Sequence, residues 1–136
     1  MNDQQLEWAK KNMKCCPIAN TFSIVGKKFT FLILRNMMNF NQKRFNQFID
    51  SIEGINPKTL SIRLREMEKD GLIERRIYPE TPIRIEYYLT EKGNALKPIL
   101  EEMADFSLQY CCEDVFKDGK PRKFQEVFGR SMKAAS

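Results

Sequence analysis

The sequence has no histidine among its 136 residues. It therefore lacks the side chain that most often performs general acid–base catalysis near neutral pH and that commonly ligates metals. It also lacks a glycine-rich phosphate loop and the Cys-x-x-Cys pattern of thiol–disulfide enzymes. We therefore expect no enzymatic activity and no cofactor. A thiol-based activity is the enzymatic alternative that these absences leave.

Long apolar runs are absent as well. No segment approaches the 18 consecutive apolar residues of a membrane span, and the first residues, Met1-Asn2-Asp3-Gln4-Gln5, do not have the form of a signal peptide. We therefore expect a cytoplasmic protein without a membrane partner. Apolar residues make up 42% of the chain, which suffices for one modest core, and small domains of this kind often gain stability by dimerising.

Cysteine is sparse and poorly spaced for metal binding. The four cysteines form two adjacent pairs, Cys15-Cys16 and Cys111-Cys112. Neither pair has the two-residue spacing of a zinc ribbon, and no histidine can complete a site, so we expect no metal. Structural disulfides are not the default in a cytosolic chain, and a sequence cannot place two thiols within bonding distance.

The charge of the chain is positive and unevenly distributed. The formal net charge is +5. Residues 17–93 hold 13 Lys and Arg against 9 Asp and Glu, whereas residues 94–136 hold 7 of each. This balance fits a polyanionic partner, although many solvated basic domains share it.

Residues 56–71 predict one helix with both ends marked. Asn56 is a favoured N-cap, Pro57 suits the first helical position, and Gly71 tolerates the left-handed conformation that closes a helix. One stripe has the spacing of a core-facing side. It consists of Leu60, Leu64 and Met67.

The rest of this helix carries hydroxyls and cations, with no acid before Glu66. Such a surface suits contact with phosphates and base edges, although an ordinary amphipathic surface helix is the alternative. Arg63 lies beside the apolar stripe, where it either braces the fold or holds a phosphate. The candidates for entering a DNA groove are Pro57, Lys58, Thr59, Ser61, Ile62 and Arg65.

A basic hairpin follows the helix directly. Residues 72–78 and 83–89 read as strands, joined by a turn from Pro79 to Pro82. Because side chains alternate along a strand, Arg75 and Arg76 cannot both face DNA, and one should pair with Glu74 or Glu86. The phosphate candidates are Arg75, Arg76 and Arg84, with Lys43 and Arg44 ahead of the hairpin.

Four helices are predicted before residue 56. They cover about residues 6–13, 17–26, 29–39 and 44–52, and residues 40–44 are a connector or a very short strand. The third is apolar nearly all round, so we expect it to form the buried centre. The fourth, the turn at Gly54 and the capped helix have the form of a helix-turn-helix.

A long helix is predicted from Thr90, its N-cap, to about Cys112. Its apolar surface is larger than one small domain needs, so a two-fold dimer is expected to bury it. The apolar residues are Leu96, Ile99, Leu100, Met103, Phe106, Leu108 and Tyr110. A turn at residues 118–121 and a weak helix over residues 124–132 complete the chain.

The ordered residue blocks resemble the HxlR-type regulators, which are related to the MarR-type winged-helix transcription factors. The similarity spans roughly residues 16–108. Phe29 stands where the family usually has Trp, and Ile62 where a polar residue is commoner. The blocks are Cys16-Pro17-Ile18, residues 24–35, Arg44-Phe45 with Phe48, residues 55–61 and 63–68, Gly71-Leu72-Ile73, Arg75, Tyr78-Pro79 and residues 87–93.

The expected fold class is mainly α with a small β-hairpin wing (α+β), a winged helix-turn-helix domain with flanking dimerisation helices. Residues 1–16 form an N-terminal arm in the dimer contact, residues 17–93 the DNA-binding domain, residues 94–112 the dimerisation helix, and residues 113–136 a tail. The resemblance implies a homodimer that binds double-stranded DNA. Its recognition helices (residues 56–70) and wings (residues 72–89) would read an inverted repeat, with the helices about 34 Å apart.

Cys16 is the redox-sensing candidate. It directly precedes Pro17, at the N-cap of a helix, where the macrodipole favours a thiolate. In some members of the family the matching cysteine senses oxidants or electrophiles, which implies an oxidant or small-molecule effector here. The alternative is an inert, buried cysteine that fills space.

These observations predict a DNA-binding transcription regulator without catalysis. The alternative is a winged-helix adaptor that binds proteins or RNA without operator specificity, because winged helices serve those roles as well.

Overall fold

A computed structural model describes residues 1–129 of the chain. Within them the chain forms nine helices and one two-stranded antiparallel sheet, which confirms the predicted fold class. The elements in order are α1 (Asp3–Asn12), α2 (Pro17–Val25), α3 (Thr30–Asn39), α4 (Phe45–Ser51), α5 (Pro57–Lys69), β1 (Ile73–Tyr78), β2 (Arg84–Leu89), α6 (Glu91–Asn94), α7 (Lys97–Tyr110), α8 (Cys112–Val115) and α9 (Phe124–Phe128).

The core lies where α3, α4, α5 and the base of the hairpin meet. The predicted apolar stripe of α5 is buried there, with Leu60, Leu64 and Met67 at most 2% exposed. Phe48 from α4 and Ile33 and Leu34 from α3 are fully buried against it. Burying side chains of this size stabilises a fold by about 1.5–3 kcal/mol each, so this contact fixes α5 against the rest of the domain.

As expected, α3 forms part of the buried centre, with Ile33, Leu34 and Met37 in the core, but it is not covered on every side. Leu32 on this helix is 38% exposed, whereas the polar Asn36 is fully buried. Asn36 donates to Gln42 Oε1 (3.0 Å) and to Ser51 Oγ (2.9 Å), which ties the C-terminal half of α3 to α4. The helix therefore has one outward apolar side and one inward polar residue that positions its neighbour.

The turn between α4 and α5 matches the helix-turn-helix expectation. Gly54 has a φ of +80°, in the region that glycine adopts without strain. Asn56 Oδ1 accepts a hydrogen bond from Thr59 N (2.8 Å), which confirms Asn56 as the N-cap of α5. The start of α5 is therefore held by its own side chains.

The hairpin pairs in register from Ile73 opposite Leu89 to Tyr78 opposite Arg84. Residues 40–44 form a connector and not a strand. One backbone bond nevertheless joins this connector to the wing, because Tyr87 N donates to Lys43 O (2.7 Å). The wing is thus attached both to α5 and to the residues before α4.

The long helix predicted from residue 90 to residue 112 is interrupted. Thr90 does cap a helix, since its hydroxyl accepts from Gly93 N (3.0 Å), but α6 ends at Asn94 and α7 begins at Lys97. Pro98 explains the break, because it lacks the N–H for the bond to residue 94 and its ring would clash with that carbonyl. The apolar surface predicted for this region belongs mainly to α7.

The two ends of the chain also differ from prediction. α1 begins at Asp3, three residues earlier than expected, because Asn2 and Gln5 form a capping box. At the C-terminus, α9 ends at Phe128. The last residues of the predicted helix, 130–132, lie outside the described part of the chain.

Candidate nucleic-acid interface

The outward side of α5 presents most of the predicted groove candidates. Pro57, Lys58 and Arg65 are exposed, and Thr59 and Ser61 are half-buried. Ile62 is 37% exposed, so this apolar side chain also reaches the surface. In the first turn the helix carries no acidic residue. This surface can offer hydroxyls, cations and one branched apolar group to a groove of DNA.

Among residues 1–129, the hydrogen-bond partner of the Arg65 side chain lies in its own helix. Its Nε donates to Ser61 O over 3.4 Å, a long bond that leaves the rest of the guanidinium in solvent. A planar guanidinium on an exposed helix side has the shape for two parallel bonds to O6 and N7 of guanine. Arg65 is therefore the side chain of this surface best suited to base recognition.

Arg63 is engaged within the protein. Its Nε donates to Lys28 O (2.8 Å) in the turn before α3, and its Nη1 lies 3.2 Å from Glu66 Oε2. Lys27 Nζ also lies 3.3 Å from the same carboxylate oxygen. These contacts fit the bracing role that the sequence left open for Arg63, because they join α5 to the α2–α3 turn.

The two basic residues before α4 have different surroundings. Both backbone N–H groups, of Lys43 and Arg44, donate to Gln47 Oε1 (2.8 and 2.9 Å). The Arg44 side chain is exposed and forms no ion pair with any residue between 1 and 129. The Lys43 ammonium lies 3.4 Å from Glu86 Oε2 on the wing.

One face of the wing carries paired cations and tyrosines. Arg76 Nη2 lies 2.6 Å from Glu74 Oε1, so one of the two consecutive arginines has the predicted ion-pair partner. The Arg76 guanidinium also stacks over the Tyr88 ring at 4.1 Å. The hydrogen bond that Arg76 donates to the Glu74 carboxylate outweighs desolvation and raises the pKa of Arg76 further. Arg76 is thus partly neutralised by its neighbours.

Glu86 sits at the centre of that face. It is 3% exposed, its Oε1 accepts from Tyr88 OH (3.2 Å), and Arg84 Nε lies 3.8 Å away. Burial by itself would raise the pKa of this carboxyl, but the hydrogen bond from Tyr88 and the nearby charges of Lys43 and Arg84 outweigh burial and lower it. Glu86 therefore stays ionised inside the wing.

The tyrosines respond to the same charge. The hydrogen bond to Tyr78 (3.4 Å between hydroxyl oxygens), burial and the Glu86 carboxylate together raise the pKa of Tyr88 to about 12. Arg84 stacks over the Tyr78 ring at 4.2 Å and pairs with Glu80 Oε1 at 3.2 Å. The predicted phosphate candidate Arg84 is therefore engaged on both sides.

Arg75 lies on the opposite face of the hairpin, paired in register with Tyr87. Its side chain is exposed and has no ion pair within the described chain. Of the three wing arginines, Arg75 is the one whose charge is not matched by a contacting carboxylate.

All four thiols are free. Cys15 and Cys16 are exposed, and Cys111 and Cys112 are half-buried. Cys16 is the N-cap of α2, as predicted, with no side-chain hydrogen bond there. In the single chain the thiol does not fill a space in the core, so the alternative of an inert, buried cysteine does not describe it. Residues 1–129 contain no group of three or more Cys, Asp or Glu arranged to hold a metal ion.

An apolar groove runs between α2, α3 and α7. It encloses about 590 Å³, and its walls include Ile18 and Phe22, which are 80% and 69% exposed. Sequence analysis missed the contribution of α2, although these two residues lie four apart on one side of that helix. On α7, Met103 and Phe106 continue the apolar surface at 47% and 61% exposure. A large apolar area of this kind marks an interaction surface.

Comparison with known proteins places the same elements in a wider group. A family model described as HxlR-like helix-turn-helix matches residues 24–115. The HTH-type transcriptional regulator YodB of Bacillus subtilis (strain 168) is 38% identical over 100 residues, which cover 74% of this chain and 88% of YodB. No helix among residues 1–129 has the length and apolarity needed to cross a membrane.

Solved structures agree with the sequence match. The redox regulator HypR in its reduced form superposes with a TM-score of 0.65 at 32% identity, over 76% of this chain and 99% of that one. The reduced form of YodB from B. subtilis superposes with a TM-score of 0.62 at 36% identity, over 73% of this chain and 96% of that one.

Proposed function

The chain belongs to the HxlR-like helix-turn-helix family and is a transcriptional regulator, and we propose that it acts as a homodimer on an inverted-repeat operator. In this proposal α5 enters the major groove of duplex DNA, and the hairpin contacts the flanking backbone. The protein performs no catalysis. A regulator works in the compartment that holds its operator, so we propose a cytoplasmic location.

The outward side of α5 is the observation that carries the proposal. Lys58, Ile62 and Arg65 project from a helix that is capped at its start and anchored by three buried side chains. A rigid helix reduces the entropy lost when these side chains bind, which favours specific readout. Thr59, Ser61 and Pro57 lie beside them and complete the proposed groove contact. Arg63 supports α5 from the protein side through its hydrogen bond to Lys28 O.

The dimer is proposed from surface that the single chain leaves uncovered. The groove between α2, α3 and α7 and the adjoining side of α7 are apolar and open, and α1 buries no residue in its own chain. A two-fold partner would cover these areas. We therefore assign residues 1–16 and 94–112 to dimer formation, residues 17–93 to DNA binding, and residues 113–136 to a tail.

A thiol response at Cys16 is the second part of the proposal. The thiol is exposed and borders Pro17 at the end of the apolar groove. Two of the solved structures similar to this chain are of the redox regulator HypR in its oxidized form and of diamide-treated YodB. Oxidation or adduction at Cys16 would shift the dimer and release DNA. Diamide should weaken operator binding by the native chain and leave operator binding by Cys16→Ser unchanged. An equal loss of binding in both proteins would contradict the role of Cys16.

Operator binding is tested by footprinting followed by titration. The footprint should show two protected half-sites one helical turn apart. Arg65→Ala should weaken binding to that site by about 1–3 kcal/mol, because an exposed guanidinium that pairs with guanine is lost. Lys117→Ala, an exposed position after α8 with the same loss of charge, serves as the control.

Two results would contradict the operator proposal. If Arg65→Ala and the native chain bind equally, Arg65 does not read bases. If the native chain binds duplex DNA without salt dependence or sequence preference, or binds only protein or RNA, the adaptor alternative holds instead.

A further inference from the structure

We propose that Glu86 is a positioning residue that keeps Lys43 and Arg84 away from DNA phosphates and fixes the wing against the helix-turn-helix. The phosphate contact of the hairpin then falls to Arg75 on the other face. This inference rests on the proposed DNA binding and divides four of the basic candidates, Lys43, Arg84, Arg75 and Arg44, into two groups with different roles.

Glu86 is held in place within the wing by burial and by contacts with one tyrosine and two cations. The side chain is 3% exposed, and its Oε1 accepts a hydrogen bond from Tyr88 OH. The two cations contact it as ion pairs without a hydrogen bond, with Arg84 Nε 3.8 Å from Oε1 and Lys43 Nζ 3.4 Å from Oε2. A buried carboxylate is stable only while such partners neutralise it. Removing one cation towards a phosphate would leave the charge buried and incompletely paired.

The tie between Glu86 and Lys43 has two points. Besides the 3.4 Å ion pair between their side chains, the next backbone N–H of β2, that of Tyr87, donates to Lys43 O over 2.7 Å. Lys43 lies two residues before the start of α4, and its backbone N–H and that of Arg44 donate to Gln47 Oε1 in the first turn of that helix. The ion pair therefore connects the middle of the wing to the first helix of the helix-turn-helix, and it sets the angle between the wing and α5.

Arg84 is held in the same way. One edge of its guanidinium lies near Glu86 and another lies 3.2 Å from Glu80 Oε1, while its plane covers the Tyr78 ring. A cation that stays with its carboxylates neutralises no phosphate and releases none of the counterions condensed on the DNA, so it adds little to the salt dependence of binding.

Arg75 differs from both in its contacts. It projects from the opposite face of β1 and is exposed, and no carboxylate of the described residues forms an ion pair with it. Its charge is free to neutralise a phosphate, and that contact releases counterions condensed on the DNA. Arg44, before α4, is likewise exposed, and no carboxylate of the described residues forms an ion pair with it.

The experiment measures how the logarithm of the DNA-binding constant falls with the logarithm of salt concentration, using a short duplex of fixed sequence. Arg75→Gln should reduce this slope by about 0.9, the value for one phosphate contact. Lys43→Gln and Arg84→Gln remove the same charge and should leave the slope unchanged. A slope reduced equally by all three would overturn the division of roles.

Glu86→Gln tests the positioning role directly. The amide keeps an acceptor for Tyr88 and frees Lys43, whereas Arg84 keeps its ion pair with Glu80, so the slope should rise by about one. The double variant Glu86→Gln with Lys43→Gln should lower the slope again. Glu113→Gln, an exposed site on α8 with the same change of charge, controls for net charge alone.

The outcomes separate this inference from the proposed function. A residue that only stabilises the fold would lower affinity in Glu86→Gln without raising the slope, and that result would overturn the inference. Circular dichroism of each variant shows whether the fold is kept. If Glu86→Gln does not fold, the comparison of Arg75→Gln with Lys43→Gln, which leaves Glu86 in place, still tests the division of roles. If the native chain has no salt-dependent duplex binding, the proposed function fails and this inference fails with it.

Discussion

At the scale of single residues, buried polar contacts decide how the helices and the wing are placed. Asn36, fully buried in α3, holds Gln42 and Ser51. Glu86, almost fully buried in β2, holds Lys43 and Arg84. Both residues join segments that are not neighbours in sequence, so each fixes an angle between elements in addition to contributing stability.

Replacing Asn36 tests the first of these contacts. Asn36→Ala should lower the free energy of unfolding by about 1–3 kcal/mol, because Gln42 and Ser51 lose a buried partner. Urea unfolding followed by circular dichroism measures the loss. Asn39→Ala, three residues further along the same helix and exposed, is the matched control. Equal losses in the two variants would show that the buried bonds of Asn36 add nothing.

The Tyr88 hydroxyl predicts a pH dependence at the alkaline end. The pKa of Tyr88 is raised from 10.0 to about 12 by its bond to Tyr78, by burial and by Glu86. Because the folded pKa lies above the unfolded one, this contribution to stability is complete below pH 10 and is lost as the pH rises through about 12. Tyr88→Phe should show less loss of stability over that interval. A native chain whose stability does not fall there would contradict the assignment.

Sequence reasoning found the residues whose role is local. The caps at Asn56 and Thr90 follow from residue type and spacing over three positions, and the pairing of Arg76 with Glu74 follows from strand alternation. The burial of Glu86 was not predictable in this way. A glutamate in a strand flanked by basic residues has the pattern of a solvated face, and its partner Lys43 lies more than forty positions away.

At the scale of elements, the first turn of α5 holds both the N-cap of the helix and several of the proposed groove contacts. Asn56→Ala removes the acceptor of Thr59 N and should cost about 0.5–2 kcal/mol of stability. Thermal unfolding measures this cost. Asn56→Asp keeps a capping oxygen and should retain most of the stability. If Ala and Asp variants unfold alike, the cap is not what holds the first turn.

Element boundaries were predicted best where a capping residue marks them. α2 and α5 begin at prolines and end beside glycines, and both agree with the sequence within one or two residues. The region after the wing was predicted as one helix because its apolar spacing continues past Pro98 and does not show that a proline interrupts the helix there. The exposed side of α3 was missed because an apolar helix looks buried unless its partner surface is known.

At the scale of the whole molecule, the open apolar surface of α7 predicts self-association. Phe106→Glu places a charge in the middle of that surface and should convert the proposed dimer to a monomer, with a matching loss of operator affinity. Sedimentation measures the association. Ile77→Glu, on the wing and similarly exposed at 55% against 61%, is the control. Two variants that sediment alike as dimers would show that α7 does not form the interface.

The proposed division of the molecule into a DNA-binding domain and flanking helices stays a prediction, based on the ordered motifs that cover the former. The groove between α2, α3 and α7 could not be predicted, since it depends on how three helices from distant parts of the sequence cross. Its residues appear in the sequence only as ordinary amphipathic patterns.

The first helix has a consequence for how assembly can be watched. α1 contains no buried residue, and the bonds that hold it are those of its own backbone and of its capping box. An isolated helix of ten residues is barely stable in water. Its amide hydrogens should therefore exchange with deuterium quickly at high dilution and slowly once a partner covers them, while those of α5 stay protected throughout. The exchange rate of α1 would then measure dimer formation without any attached label.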